Sequence, residues 1–420
     1  MPVRRRIAVV GAGVAGLTAG YVLQRVADVH LYEVDARVGG HAHTHEVPER
    51  DGRTLAIDSG FIVHNRVTYP TLLRLFDELG VDTQESDMSM SIACGGCGLE
   101  YAGGRGLSGL LPSRRAVTDP RYLGLLAEVI RFHRHARRLL ASDGDEPTLR
   151  EFLRRHRFGR YFADHFVTPL VSAVWSCAPT TGGDYPARYL FVFLANHGML
   201  SVTGSPAWRT VVGGSARYVE KLAKGLTAVH TSTSVRSVSR CASGVVVRDD
   251  SDGASRFDGA VIATHADQAL RLLAEPTPAE AATLGAIGYT VNPTLLHTDR
   301  SVLSVAARAQ ASWNYYLPRC TVVPDEVHVS YNMNRLQRLA ADRQYVVTLN
   351  GDRRVDPRQV LARMRYEHPT YTADSVAARS RLPELNDGVL AFAGAYHGWG
   401  FHEDGCRSGV EAATSLGGVW

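Results

Sequence analysis

The feature that most constrains the fold is a glycine pattern near the N-terminus. Gly11-x-Gly13-x-x-Gly16 follows an apolar run at residues 6–10 and opens a helical segment at residues 14–26. A second apolar run, residues 29–33, closes on Glu33, 22 residues after Gly11. This order predicts strand, tight turn, helix, strand. Gly11 permits the turn, Gly13 lets the backbone approach a pyrophosphate, and Gly16 lets helix and strand pack closely. Ala15 falls in the same phosphate-binding turn. The uncapped helix N-terminus offers N–H groups and partial positive charge to phosphates. Glu33 is placed to accept hydrogen bonds from ribose hydroxyls and disfavours a 2′-phosphate. The segment therefore reads as a dinucleotide site.

A second match, Gly104-x-Gly106-x-x-Gly109, serves as a control. Leu110, Leu111 and Pro112 follow it, and no acid closes a second strand about 20 residues on. It reads as a loop, which leaves one dinucleotide fold in the chain and argues against a separate NADPH domain.

A length of 420 residues allows two to three domains, and a net charge of +4 creates no large positive field. Nucleic acid is therefore excluded as an expected partner. Arg4-Arg5-Arg6 followed by an apolar stretch imitates a secretion signal, but glycines interrupt it and the dinucleotide motif lies inside it. No run approaches the ~18 apolar residues of a membrane span, so membrane association is peripheral at most. Six scattered cysteines fit a reducing, cytoplasmic setting. Cys94 and Cys97 are close, but no second C-x-x-C and no Cys/His pair lies nearby in sequence; the pair reads as a turn with two free thiols, and no metal is expected.

Along the chain, periodicity predicts a helix at 69–79 stopping at Gly80 and a hairpin over 87–104 around Gly95-Gly96. Helices follow at 121–141, 147–156, 158–175 and 186–196. Strands are expected near 228–239, 244–249, 256–263, across 290–350 and at 389–393, with a last helix at about 405–415. The order of these elements is α/β, and the resemblance carried by the motifs that follow implies a Rossmann-like FAD-binding domain with an inserted α+β substrate domain. The FAD domain is expected to combine 1–90, 205–270 and 385–420, with 91–204 and 271–384 as substrate domain.

The choice of FAD rests on further motifs. Arg37-x-Gly39-Gly40 follows Glu33, and here the chain resembles the large FAD family of amine oxidases, protoporphyrinogen oxidase and phytoene desaturase. Asp58-Ser59-Gly60 resembles its D-x-G segment. Trp208 to Leu222, with Val235 after it, resembles its second FAD segment, and Asp258 to Thr264 the strand returning to the FAD domain. Phe392-Ala393-Gly394 and Gly405-x-x-Ser408-Gly409 resemble its C-terminal flavin segment. The resemblance implies FAD, bound tightly and noncovalently, with Cys406 the alternative attachment point. It implies Gly11, Gly13, Ala15, Gly16, Glu33, Arg37, Gly39, Gly40, His41, Asp58, Gly60, Val235, Thr264, Gly394, Asp404 and Gly405 as cofactor-binding residues. More narrowly, His64-Asn65, Tyr69-Pro70, Trp313-Asn314-Tyr315, Asn332 to Arg335 and Gly398 to Gly405 resemble a branch of bacterial flavoproteins. These often accompany cyclopropane fatty acid synthase-like methyltransferases, which implies such an enzyme as a partner and lipid chemistry as the setting.

Two departures matter. Amine oxidases usually carry a lysine that holds a water near flavin N5; the only lysines here, Lys221 and Lys224, sit on the helix after Gly213-Gly214. The Gly-Gly doublet is followed by His41 rather than Arg or Lys. Both speak against amine oxidation.

The densest chemistry lies at 394–409. His397, His402 and Glu403 are the acid–base candidates, and the alternative is that they only pack the flavin ring. Tyr396, Trp399 and Phe401, with Asn65, Trp313, Tyr315 and Asn332, are expected to line a substrate slot. His41, His43 and His45 alternate, as on one strand face; a metal is one reading and polar lining of the FAD site the other. His133 and His135 lie on an Arg-rich helix that reads as a solvated face, with a phosphate-binding patch as the alternative. The expected activity is hydride transfer from a substrate C–H bond to flavin N5 on a hydrophobic, unsaturated or modified fatty-acyl substrate. A flavin-dependent double-bond isomerase, an amine oxidase and a noncatalytic FAD-bound partner of a lipid methyltransferase remain open.

Overall fold

The computed structural model describes residues 4–144, 146–201, 205–320 and 325–420. A five-stranded parallel sheet forms its base, in the order Ala228–His230, Ala27–Tyr32, Arg5–Val10, Gly259–Ile262, Leu390–Phe392. The strands come from three distant stretches of chain. Their continuous apolar runs fit a sheet covered on both faces. The helix Val14–Leu23 is buried almost all round. It is clamped between the sheet and the C-terminal helix His402–Ser415, and Gly405 and Gly409 permit that approach. A Cβ on Gly409 would stand 2.3 Å from the Ala15 carbonyl oxygen, and one on Gly405 would stand 2.7 Å from Val14 Cγ1.

Above this base lies a seven-stranded sheet, ordered Val360–Pro369, Tyr289–His297, Val346–Leu349, Val329–Asn332, Trp313–Leu317, Met90–Cys94, Glu100–Gly103. All its pairs are antiparallel except Trp313–Leu317 with Met90–Cys94. One face carries a helical layer: Pro120–Leu140, Leu149–Arg155, Thr168–Trp175 and Ala187–Asn196. Phe132, Phe152, Phe162 and Phe191 interlock within that layer, and Tyr315 and Val329 reach it from the sheet.

Several sequence expectations change. The stretch 158–175 is not one regular helix: Ala163–Val167 forms a π-helical segment between Arg160–Phe162 and Thr168–Trp175. The second glycine match is not wholly a loop, because Gly106–Leu110 is a short helix. The last helix begins at His402, a turn earlier than expected, which moves His402, Glu403 and Asp404 into its first turn. His133 is buried rather than solvated, packed beside Phe166. Residues 202–204, at the end of the expected 91–204 segment, lie outside the described residues. Among the described residues, no helix is long and apolar enough to cross a membrane.

Candidate cofactor and substrate site

The two layers enclose a cavity of about 740 Å³. Its lower end is built by the glycine turn. Gly11 has φ +100°, and a Cβ there would meet the Ala263 carbonyl oxygen at 2.9 Å. On Gly16 a Cβ would stand 1.9 Å from the Gly11 oxygen, so both positions are closed to side chains. Gly13 is the opposite case, with nothing within 4 Å of its Cβ position. Gly13, Val14 and Ala15 all line the cavity. The helix they begin has no side-chain cap and no acid in its first turn. Its orphan N–H groups and positive dipole end therefore meet open space, which suits an anion.

The flanking groups agree. Glu33 lines the cavity, and its two carboxylate oxygens accept from the Ala12 amide at 2.7 Å and the Asp35 amide at 3.0 Å. The carboxylate thus braces the turn and keeps further lone pairs for a ribose. Arg37 donates to the Gly40 carbonyl at 2.8 Å, while its Nη1 is buried without a partner among the described residues. A buried cationic donor left unmatched at the cavity wall fits a pyrophosphate. The residues present therefore fit a flavin dinucleotide.

The upper end is aromatic. Trp175, Phe193, Trp313, Tyr331, Trp399 and Phe401 line it. Phe193 stacks on Phe401 with ring centroids 4.9 Å apart. The loop carrying Trp399 is held from several sides. Trp175 Nε1 donates to the Trp399 carbonyl at 3.1 Å, and Tyr189 Oη and Arg379 donate to the Gly398 carbonyl at 3.0 and 2.9 Å. Asp404 accepts from the Trp399 and Phe401 amides at 2.9 and 3.1 Å. Burial pushes the Asp404 carboxyl up to about 6, against the amides that favour its charge.

Not every expected site residue reaches the cavity. Gly11, Gly13, Ala15, Glu33, Arg37, Gly40, His41, Gly60, Val235, Thr264 and Gly394 do, as do Trp313, Tyr396, Trp399, Phe401 and His402. Gly16, Gly39, Asp404 and Gly405 shape it from behind. Asp58 lies away from the lining, accepting from the Ser215 amide and hydroxyl, Thr44 and Gln337, so it ties two loops together. Glu403 likewise turns elsewhere and accepts from the Thr71 and Leu72 amides, both at 2.9 Å, at the start of helix Pro70–Leu79. Asn65 closes a local turn onto Val67 and Thr68. Asn332 caps the short helix Met333–Leu336, and Tyr315 is buried in the helical core. His397 is absent from the lining, with its Nε2 buried and without a partner among the described residues.

Of the acid–base candidates only His402 lines the cavity. Burial pushes it down to about 3, so it is neutral. Of the three alternating histidines only His43 and His45 share a face, with ring centroids 4.0 Å apart, because the strand begins only at Thr44 and His41 lies before it. His41 lines the cavity, whereas His43 and His45 turn to Tyr366 and Ser59 at 3.1 and 2.8 Å.

Sequence reasoning missed a polar wall beside His41. His265, Tyr366, Glu367 and His368 all line the cavity, with His265 Nδ1 3.2 Å from Glu367 Oε2 and the His41 ring 4.8 Å from Tyr366. The alternation of Tyr366 and His368 on a strand was the available signal. Trp175, Phe193 and Met199 were also missed, because in sequence they look like helical core. Lys221 donates to the Leu79 and Gly80 carbonyls at 2.7 and 2.8 Å, and neither lysine lines the cavity. Cys406 is buried against Thr18 and is likewise outside the lining.

Residues 14–416 match the sequence profile of a family described as flavin containing amine oxidoreductase. The fold is similar to that of a putrescine oxidase bound to putrescine, at 16% identity over 99% of both chains with a TM-score of 0.68. It is also similar to cyclohexylamine oxidase from Brevibacterium oxydans, at 16% identity over 98% of both chains and TM-score 0.67. A fatty acid isomerase from P. acnes that produces CLA shares it at 16% identity, 98% of both chains and TM-score 0.63. No curated protein sequence matches the chain.

Proposed function

The chain belongs to the flavin-containing amine oxidoreductase family and is an FAD-dependent oxidoreductase, and from that premise we propose that it oxidises a C–H bond in an uncharged stretch of a hydrophobic substrate, an unsaturated or modified fatty-acyl chain. Bound FAD supplies the hydride acceptor. The chain's own residues supply binding, orientation and exclusion of water. Gly13, the first turn of its helix, and Arg37 would hold the pyrophosphate, with Glu33 on the ribose.

The observation that carries the substrate class is the chemistry of the upper cavity. Its wall is aromatic, and the cavity's acids, Glu33, Asp35 and Glu367, stand with the glycine turn or against His265. An ammonium group there would meet ring faces that offset part of the cost of burying its charge, but no carboxylate among the described residues to pair it. An apolar chain needs no charged partner there and gains roughly 25 cal/mol per Å² of surface removed from water, against the entropy of ordering it. His402 is neutral and can only donate and accept hydrogen bonds.

The test is anaerobic titration of oxidised holoenzyme, separately with lipid extract and with a panel of amines, reading loss of flavin absorbance. Bleaching by lipid and recolouring by an acceptor supports the proposal. Bleaching by amines alone ends it. Product formed from lipid with no acceptor consumed assigns a double-bond isomerase instead. No bleaching with either, together with co-purification of a cyclopropane synthase-like methyltransferase, assigns a noncatalytic partner.

A further inference from the structure

The C-x-x-C pair does not stand alone in space. His165 and Cys320, distant in sequence, come to it, and one ligand atom from each of Cys94, Cys97, His165 and Cys320 lies within 4.8 Å of all the others. We propose that these four side chains form a closed, structural zinc site that fastens the helical layer to the seven-stranded sheet.

The backbone brings them together in three steps. Met90–Cys94 pairs with Glu100–Gly103, so Cys94 and Cys97 share one tight turn, with the Gly98 amide donating to the Cys94 carbonyl at 2.8 Å. Trp313–Leu317 runs parallel to Met90–Cys94, with Leu317 beside Cys94, so the chain leaving it delivers Cys320 to the same end. The π-helical segment Ala163–Val167 lowers His165 onto them. Such segments interrupt helices frequently at functional sites. Gly96 is obligatory in this packing, since a Cβ there would stand 2.7 Å from the Cys320 amide and 3.2 Å from Cys320 Sγ.

Two of the six ligand–ligand spacings match a tetrahedron around zinc, and all six lie within 4.8 Å. With Zn–S of about 2.3 Å and Zn–N of about 2.05 Å, tetrahedral edges are about 3.8 Å for S···S and about 3.6 Å for S···N. Cys94 Sγ lies 3.5 Å from Cys320 Sγ, and Cys97 Sγ lies 3.6 Å from His165 Nε2. His165 is already set as a ligand. Its Nδ1 donates to the Tyr161 carbonyl at 3.0 Å, which places the proton on Nδ1 and leaves the Nε2 lone pair facing the sulfurs. The Arg115 guanidinium donates to the Cys97 carbonyl and places positive charge beside what would be a net-negative centre.

Nitrogen and thiolate ligands in tetrahedral array select zinc among common divalent ions. Four protein ligands leave no open position, and none of the four lines the 740 Å³ cavity, so the role is structural. Binding takes Zn²⁺ and releases the thiol protons of Cys94, Cys97 and Cys320 to solvent, with no change of oxidation state.

The test uses the FAD-loaded full chain purified without chelator and given zinc, with metal measured by mass spectrometry after desalting. About one zinc per chain is expected. Replacing zinc with cobalt should give the visible bands of tetrahedral thiolate-bound Co²⁺, at wavelengths longer than the flavin absorbs. H165A and C320S should each lose zinc affinity by roughly ten-fold or more, while C241S, at an exposed cysteine outside the cluster, should keep it. Should those variants fail to fold, the cobalt spectrum of the unaltered protein still decides. Metal-free protein with freely reactive thiols would overturn the proposal, as would a Cys94–Cys320 disulfide in the intact mass or an octahedral cobalt spectrum.

Discussion

The His402 ring lies flat on Phe61, with ring centroids 3.8 Å apart and planes 9° from parallel. On its edge, Nε2 is 2.6 Å from Tyr218 Oη. Burial keeps His402 neutral, down at about 3, and keeps the Tyr218 phenol protonated. With both groups neutral, the His402 tautomer decides which of the two donates. H402A removes this partner and leaves a buried hydroxyl unmatched, at a cost of about 1–3 kcal/mol. In a Y218F background the same change should cost less, and the coupling is read from thermal or urea unfolding of the four proteins. Additive costs would mean the hydrogen bond carries no weight.

Gly13 and Gly16 should separate cofactor binding from folding. A methyl at Gly13 meets empty space in the protein alone, whereas at Gly16 it meets the Gly11 carbonyl at 1.9 Å. G13A should leave apoprotein melting unchanged and weaken FAD binding. G16A should lower both, with a stability cost of about 1–3 kcal/mol or more. Fluorescence titration of FAD and melting curves of the apoproteins check the pair.

Glu403 caps another helix. E403Q retains the shape but weakens acceptance from the Thr71 and Leu72 amides. The expected loss is about 1 kcal/mol of stability, with the rate of flavin reduction by substrate unchanged. A large fall in that rate with normal melting would return Glu403 to the chemistry.

Stability should fall in acid. His43, His397 and His402 are pushed down to about 3, and His64, His133, His297 and His368 to about 4, by burial in each case first. Each must charge in the unfolded chain near its ordinary value of about 6.5 but resists charging in the fold. Between about pH 6.5 and 4 the unfolded chain therefore binds more protons, and each group costs up to ~1.4 kcal/mol per pH unit. Asp58 and Asp404, raised to about 6 by burial, act oppositely, taking up protons in the fold and losing stability as pH rises through that range. The histidines outnumber them, so melting temperature should drop steadily as pH falls below about 6.5.

The glycine turn was legible in sequence because strand, turn and helix are local: Gly11, Gly13, Gly16 and Glu33 all act within one short unit. The C-terminal loop was legible in part. Its aromatics reach the cavity, but Glu403 was read as chemistry, because its partners at Thr71 and Leu72 lie more than 330 residues away. The approach of Cys320 and His165 to the Cys94–Cys97 turn was hidden for the same reason, since Cys320 lies 226 residues from Cys94 and His165 lies 68 from Cys97. The π-helical segment that delivers His165 leaves no mark in apolar periodicity. Trp175 and Phe193 look like core in sequence, and only the fold decides which aromatic faces a void.

Anaerobic stopped-flow with a matched pair of substrates decides whether the FAD site takes an uncharged hydrophobic chain. Oxidised holoenzyme is mixed with an unsaturated fatty-acyl ester and, separately, with the alkylamine of the same carbon count. The expected result is rapid loss of flavin absorbance with the ester and none on that timescale with the amine. Reduction by the amine alone, growing faster as pH rises and the amine loses its proton, would rule out the fatty-acyl substrate.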